Sequence, residues 1–397
     1  MSVSLSGGRD VVAIPGPSII PERVLTAMHR AMPNIYEGEL IDVSNRLFAD
    51  LPAIVRTSGR VFVTVSNGHG AWEMAISNTL SRGEKVLVLE SGRFAVAWGD
   101  MAALSGVKPE VLFAPERRPV DPKAVEARLR ADTGRELKAV LVVQVDTGSS
   151  VLNDIAAIRA AMDAADHPAL LMVDGIASIG CQRYEMDAWG VDVTVGASQK
   201  GLMVPPGLGF VWAGPRALAA HEHAGLRTGY WDWTSRSDET THYLRYCGTP
   251  PVGHLYGLRE ALTMIQEEGL EAIWERHGVL AGAIRAAIGA WLTPGGLELN
   301  IVDPAARSNA VTTVLTNEID PEHLRAICYD RAGLTLGVAI GEFQGRAFRI
   351  GHMGHLNPPT VLGTIGTIEA VLIAMGAPMG GSGVAAAAAS IADAMVP

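Results

Sequence analysis

Residues 169–212 read ALLMVDGIASIGCQRYEMDAWGVDVTVGASQKGLMVPPGLGFVW. Leu170, Leu171, Met172 and Val173 form an apolar run that stops at Asp174, and a β-rich run over 191–195 stops before Gly196. Such near-continuous runs predict strands covered on both faces of a mostly parallel sheet. A third run, 208–212, follows Pro205, Pro206 and Gly207 too closely for a crossover helix, so it is expected to run antiparallel.

Working outward, the same alternation holds from about residue 55 to 215. Strands are expected at 61–66, 85–90 and 139–145, with helices near 71–80, 121–130 and 154–165. Residues 217–250 read as irregular and aromatic-rich, and a long helical pattern runs from 254 past Gly269 to Trp291. Thr293-Pro294-Gly295-Gly296 punctuates it. A smaller α/β region follows, with strands at 297–302, 310–315 and 347–351 and helices at 321–331 and 358–375. The expected division is an N-terminal segment 1–20, a large α/β domain 21–275 and a smaller C-terminal α/β domain 276–397. The Ala-rich tail from Gly381 reads as a docked or frayed helix.

The chain has 397 residues, enough for two domains. Its formal net charge of −10 argues against a protein that coats nucleic acid, which needs a basic surface. Hydrophobic residues at 48% and charged residues at 19% are globular composition. Cys181, Cys247 and Cys328 are widely spaced, which speaks against a disulfide framework or a structural zinc site. No apolar run reaches the roughly 18 residues of a membrane span, and no secretory leader is visible. The expectation is a cytoplasmic protein acting on small molecules, without membrane or nucleic-acid partner and without a metal.

In a parallel α/β sheet, ligands sit beyond the C-terminal strand ends. After 61–66 comes Asn67-Gly68-His69-Gly70, a glycine-rich turn opening a helix near Ala71, whose free N–H groups suit a phosphate. Asp174 is a carboxylate at an apolar strand end, which calls for a cationic partner. Lys200 follows the next strand and precedes Leu202, Met203 and Val204, so its ammonium is poorly hydrated and its free amine becomes an imine-forming nucleophile. Each feature alone has an ordinary structural reading. Together, a phosphate cradle, an acid for a ring nitrogen and an imine-forming lysine are what pyridoxal 5′-phosphate requires.

With these residues in place the chain resembles the class V aminotransferases of the alanine–glyoxylate and serine–glyoxylate type, which have the type I fold of pyridoxal-phosphate enzymes. The resemblance runs along nearly the whole chain. It is strongest in LLMVDGIASIG (170–180), VDVTVGASQKGLMVPPGLG (191–209), TPPVGHLYGLREAL (249–262) and FRIGHMG (348–354). It implies that Lys200 carries the cofactor and moves protons, and that Asp174 pairs with the ring nitrogen. Ile176 and Phe94 would cover the two ring faces. Asn67, Gly68, His69 and Gln199 would surround the phosphate, and Thr147 would sit near the ring's phenolic oxygen. Tyr246 and Thr249 would reach the phosphate of a neighbouring subunit in a homodimer. Arg349 would grip the substrate carboxylate, and the turn Pro15-Gly16-Pro17 would lie over the site, Gly16 at the substrate. The implied reaction moves an amino group from serine, alanine or aspartate to a 2-oxo acid, glyoxylate foremost, giving glycine.

Two departures bear on the substrate: an acidic-Ser-Ser/Thr-Thr-Gly loop of the family reads Asp146-Thr147-Gly148-Ser149-Ser150 here, and Asn67 replaces a small Ser. Among rivals, Gly68-x-Gly70-x-x-Glu73 with Glu90 at the next strand end imitates a dinucleotide fingerprint. That would make an NAD-dependent oxidoreductase, although Glu73 stands where a small residue is needed. A desulfurase-like lyase on the same fold would stack a His, where this chain has Phe94. His221-x-His223 and His352-x-x-His355 lack a carboxylate pair and read as satisfied histidines. No G-x-S-x-G serine-nucleophile elbow occurs. A non-catalytic scaffold would purify colourless.

Overall fold

The computed structural model describes residues 4–238 and 240–395. Twelve strands form two sheets among these residues. They are β1 (Val11–Ala13), β2 (Arg60–Ser66), β3 (Lys85–Glu90), β4 (Lys108–Phe113), β5 (Leu137–Val143) and β6 (Leu170–Asp174). Next come β7 (Val193–Ala197), β8 (Gly207–Ala213), β9 (Glu298–Leu299), β10 (Val311–Leu315), β11 (Leu334–Val338) and β12 (Ala347–Gly351). The seven-stranded sheet has the order β2-β8-β7-β6-β5-β3-β4. All its pairs are parallel except those of β8, which is antiparallel to both β2 and β7. The proline-containing link between β7 and β8 is too short for a crossover, as its sequence requires.

Period-two alternation along β5 explains how both faces of this sheet are buried. Val140 and Val142 enter the core on one face, and Ala139, Leu141 and Val143 enter the core on the other, while Leu137 stands out of phase across a register shift at the start of the strand. Helices cover both faces, and Asp121 and Asp154 cap two of them, Pro122–Ala131 and Ile155–Ala164.

The five-stranded sheet has the order β1-β11-β12-β10-β9. β1 pairs in parallel with β11, so the N-terminal strand belongs to the same sheet as the C-terminal region. The residue expected as a boundary, 275, falls inside the helix Leu270–Trp291. Early in this helix Ile273 packs in the large core, whereas Leu280, Ile284, Ile288 and Trp291 pack in the small one. The tail is docked: the helix Gly383–Met395 buries Ala387 and Ile391 in the small core.

Several expectations change in detail. The helix after Asn67 starts at Gly68, three residues before Ala71, because the Asn67 side chain caps it. Strand β5 ends at Val143, so Gln144 and Val145 belong to the loop beyond it. The expected strand at 297–302 shrinks to Glu298–Leu299. The region 217–250 contains short helical turns at Pro215–His221, Trp233–Arg236 and His242–Tyr246. No described helix is long and apolar enough to cross a membrane.

Candidate active site

The register of the large sheet sets the site. Asp174, the last residue of β6, lies between Val143 of β5 and Val195 of β7, at the C-terminal strand ends. It is buried. Its Oδ1 accepts the Ile176 backbone N–H at 2.7 Å, and its Oδ2 accepts the Trp72 indole N–H at 2.9 Å. Burial pushes this carboxyl up to about 7, against the pull of the two donors.

Asn67 ends the crossing from β2 into the helix Gly68–Thr79. Its side-chain oxygen accepts the His69 N–H at 3.0 Å, so that oxygen is committed to the cap. Gly68 and His69, in the first turn of this helix, line the cleft at the strand ends, and the first-turn N–H groups other than that of His69 are not used by the Asn67 cap, an arrangement that favours an anion. A side chain at 68 would press on Ile176, since a Cβ there would lie 2.3 Å from Ile176 Cδ1. His69 leans on Trp72, ring centroids 4.5 Å apart.

Lys200 follows β7 in a loop held by the N-terminal segment. Ser18 donates its N–H to Gln199 O at 2.9 Å and its hydroxyl to Lys200 O at 2.7 Å. The Lys200 ammonium donates to the carbonyl of Pro15. Gly16 has φ +94, and a Cβ on it would sit 2.5 Å from Lys200 Nζ, so only glycine fits this turn over the lysine. Burial pulls the Lys200 amine down to about 8, and the nearby Arg349 guanidinium adds to the effect. The Gln199 side-chain oxygen is buried and has no partner among the described residues.

Beyond β5, Asp146 organises the opposite wall. Its carboxylate accepts three backbone N–H groups, from Phe94 at 2.8 Å, Gly148 at 2.7 Å and Ser149 at 3.0 Å. This fixes Phe94 and the Thr147 loop in one unit. Arg349, on β12, donates its Nε to Val338 O and its Nη1 to Thr147 O, each at 2.7 Å. Two of its five N–H groups are thus used, and the fork is anchored across the junction of the two sheets. Burial lowers this guanidinium to about 10.

One cleft gathers Gly68, His69, Phe94, Thr147, Asp174, Ile176, Gln199 and Lys200, all singled out in the sequence. Trp72, Val143, Val145 and Ala177 also line it and were not foreseen. Trp72 sits inside a helix at a core-like position, where an indole reads as packing. Tyr246 lies in the core of its own subunit. Its ring is buried, its hydroxyl is hydrogen-bonded to Ser44, and Phe48 and His242 pack on it. Thr249 is exposed.

The dinucleotide alternative fails on topology. β2, which precedes the glycine turn, is an edge strand with an antiparallel neighbour, and Glu90 on β3 is five strands away. At about 4.8 Å per strand that separation is roughly 24 Å, too far for one ribose. The histidine pairs have ordinary partners: His221 bonds Asn78 O and Thr234, and His352 bonds Thr312 and Asn309 O.

Comparison with known proteins follows the same line. The family described as Aminotransferase class-V matches residues 52–341. A serine–glyoxylate aminotransferase of Methylorubrum extorquens is 40% identical over 402 residues, spanning 99% of this chain and 98% of that protein. An L-aspartate–glyoxylate aminotransferase of Paracoccus denitrificans is 39% identical, spanning 95% and 94%. Among solved structures, ureidoglycine–glyoxylate aminotransferase from Bacillus subtilis superposes with a TM-score of 0.88 at 25% identity, covering 96% of this chain and 98% of that one.

Proposed function

The chain belongs to the class V aminotransferases, and on that premise we propose that it uses pyridoxal 5′-phosphate to transfer the amino group of a small amino acid to glyoxylate. The observation that carries this reading is the placing of the Lys200 amine and the Asp174 carboxylate at adjacent strand ends within one cleft, beside an open helix N-terminus. The residues fit the group. A Cβ at Gly68 would displace Ile176, the buried Asp174 lacks a cation of its own beyond Lys200, and the lysine is held partly neutral.

When bound, the cofactor supplies a carbonyl that condenses with amines and a ring that takes up the charge left by a departing α-proton. The chain supplies the rest. Lys200 Nζ would hold the cofactor, and its free amine is the group placed to take up the α-proton and give it back. Asp174 keeps the ring nitrogen protonated. Phe94 and Ile176 would confine the ring, and the N–H groups at Gly68 would hold the phosphate with Gln199 beside it. The remaining donors of Arg349 bind the substrate carboxylate.

Donor choice follows from the lining. Among the described residues of the cleft Lys200 is the one cation, with Arg349 at its edge, so a second carboxylate on the donor has no separate partner. This favours serine or alanine over aspartate. A donor-by-acceptor panel tests it, following loss of the cofactor's aldehyde absorbance in single turnovers. Serine or alanine with glyoxylate should be fastest, and a panel in which no amino acid discharges the absorbance removes the reading. In the same panel Arg349→Ala should lower kcat/KM for every donor and acceptor by roughly 30- to 1000-fold, for loss of about 2–4 kcal/mol. Arg349→Lys keeps the charge but loses the fork and should not rescue fully. A defect confined to one substrate would make Arg349 a side-chain reader instead.

The same reading includes a homodimer in the cytoplasm. Tyr36 is 73% exposed and meets Tyr243 edge-on, and Tyr230 donates its hydroxyl to Val65 O on the exposed edge strand β2. These aromatics lie near the phosphate cradle, with Thr249 also exposed, and such a patch suits a second copy of the chain. The three cysteines are free thiols, in keeping with a reducing compartment. On dilution, sedimentation should show dimer dissociation together with loss of cofactor. A monomer that retains cofactor and full activity would remove the dimer from the proposal.

A further inference from the structure

Trp72 is completely buried and makes one polar contact, its indole N–H to Asp174 Oδ2 at 2.9 Å. Trp98, stacked beside it at 5.9 Å and also buried, has an indole nitrogen without a partner among the described residues. Aromatic packing between the helices Gly68–Thr79 and Arg93–Leu104 therefore does not by itself require a hydrogen bond, and the Trp72–Asp174 bond is a separate feature. The Ile176 N–H holds the other carboxylate oxygen at 2.7 Å. Both oxygens are thus engaged by neutral donors. Each oxygen keeps a further lone pair.

We infer that Trp72 is a positioning residue, which keeps Asp174 in its carboxylate form and fixes the orientation of the oxygen that meets a cationic ring nitrogen. The inference rests on the cofactor reading given above. Its physical basis is the competition at Asp174. Burial opposes the charged form, and Asp146 across the cleft repels it, while Lys200, Ile176 N–H and Trp72 favour it. The other titratable groups nearby are Tyr184, whose hydroxyl is paired with Thr194, His69 against the Trp72 ring, and Arg349 beyond Lys200. A neutral donor has an advantage over a cation at this position. It stabilises the carboxylate without competing, as a charge, with the ring nitrogen for the same oxygen. Without the indole, the proton shared between Asp174 and the ring would move toward Asp174, and the ring would lose the charge that makes it an electron sink.

The test begins on the cofactor-free chain. Carbon-13-labelled aspartate gives the Asp174 carboxyl signal, assigned by its absence in Asp174→Asn. It should titrate near pH 7 in the native chain. In Trp72→Phe the midpoint should rise by about one to two pH units, the effect of losing one charge-assisted hydrogen bond. In the unaltered chain the Trp72 indole N–H resonance should move with pH at the same midpoint as the Asp174 carboxyl. This second measurement does not depend on a variant that folds. After loading with nitrogen-15 pyridoxal phosphate, the ring-nitrogen signal should shift toward the unprotonated form in Trp72→Phe. An unmoved Asp174 midpoint in the variant, or an indole signal flat through the titration, overturns the inference. Failure of the native chain to take up cofactor would instead strike the reading on which it rests, and would leave the cofactor-free titrations as they are.

Discussion

Replacing Lys200 by alanine should lower turnover by at least about 10⁴-fold, since the change removes both the covalent anchor and the proton carrier. The variant should still hold pyridoxal phosphate through the helix N-terminus, which is untouched. Borohydride should then label the native chain at Lys200 and leave the variant unlabelled. Label on a different lysine of the native chain would refute the assignment. The amine's environment adds a signed pH dependence. Lys200 is lowered to about 8, so below that value it is mostly the inert ammonium and above it mostly the reactive amine. Covalent capture of cofactor by the cofactor-free chain should therefore rise with pH through about 8. Arg349→Ala removes a neighbouring like charge and should move this midpoint upward. A midpoint near 10.5, the ordinary lysine value, would mean that the amine is hydrated and not poised.

Lys200 and Asp174 were legible because Asp174 ends one apolar strand and Lys200 follows the next in a short loop. That is a local signal, and topology turns it into proximity: β6 and β7 are neighbours, so the two strand ends meet. The antiparallel β8 was legible for the same local reason, a link too short to cross over. Strand β4 was not. It lies at the sheet edge, contains Pro109 and is largely exposed, so it has neither the apolar run nor the alternation that marks a strand. Strand β1 has three residues and pairs with β11 more than 300 residues away, a contact that no local pattern encodes. Strand β11 contains Gly337, which leaves room for Pro15 to pack against the backbone; a Cβ there would lie 2.6 Å from Pro15 Cδ. The glycine weakened the strand signal while making the N-terminal turn possible. Tyr246 is a different case. Motif spacing located the residue but not the direction of its side chain, and the ring settles against Phe48 in the core. Trp72 was missed because an indole on a buried helix face is ordinary, and only the carboxylate beside it makes its N–H significant.

Asp174→Asn should reduce kcat by about 10³- to 10⁴-fold, the effect of losing roughly 4–6 kcal/mol of charge stabilisation as the α-proton leaves. The amide keeps the shape of the carboxylate but offers one oxygen where two donors, Trp72 N–H and Ile176 N–H, each now have their own. One of these buried donors must then face the amide nitrogen, at a cost of about 1–3 kcal/mol in stability. The NH₂ group also cannot accept a proton-bearing ring nitrogen, so the cofactor should bind with that nitrogen unprotonated. The cofactor-free chain supplies a separate, signed check. Asp174 is raised from 3.8 to about 7 by burial. A raised folded value means that the neutral form is the favoured one in the folded state. Its contribution to stability is full below about 4 and is lost as pH climbs through about 7. The native cofactor-free chain should therefore lose stability over that interval, and Asp174→Asn, which cannot ionise, should lose less. Bound cofactor should abolish the difference in slope, because a protonated ring nitrogen makes the charged carboxylate the favoured form. Chemical denaturation at pH 5 and pH 8, with and without cofactor, measures all four cases. Equal slopes for the native and variant cofactor-free chains would show Asp174 to be already ionised and hydrated, and the charge argument for turnover would fall with it.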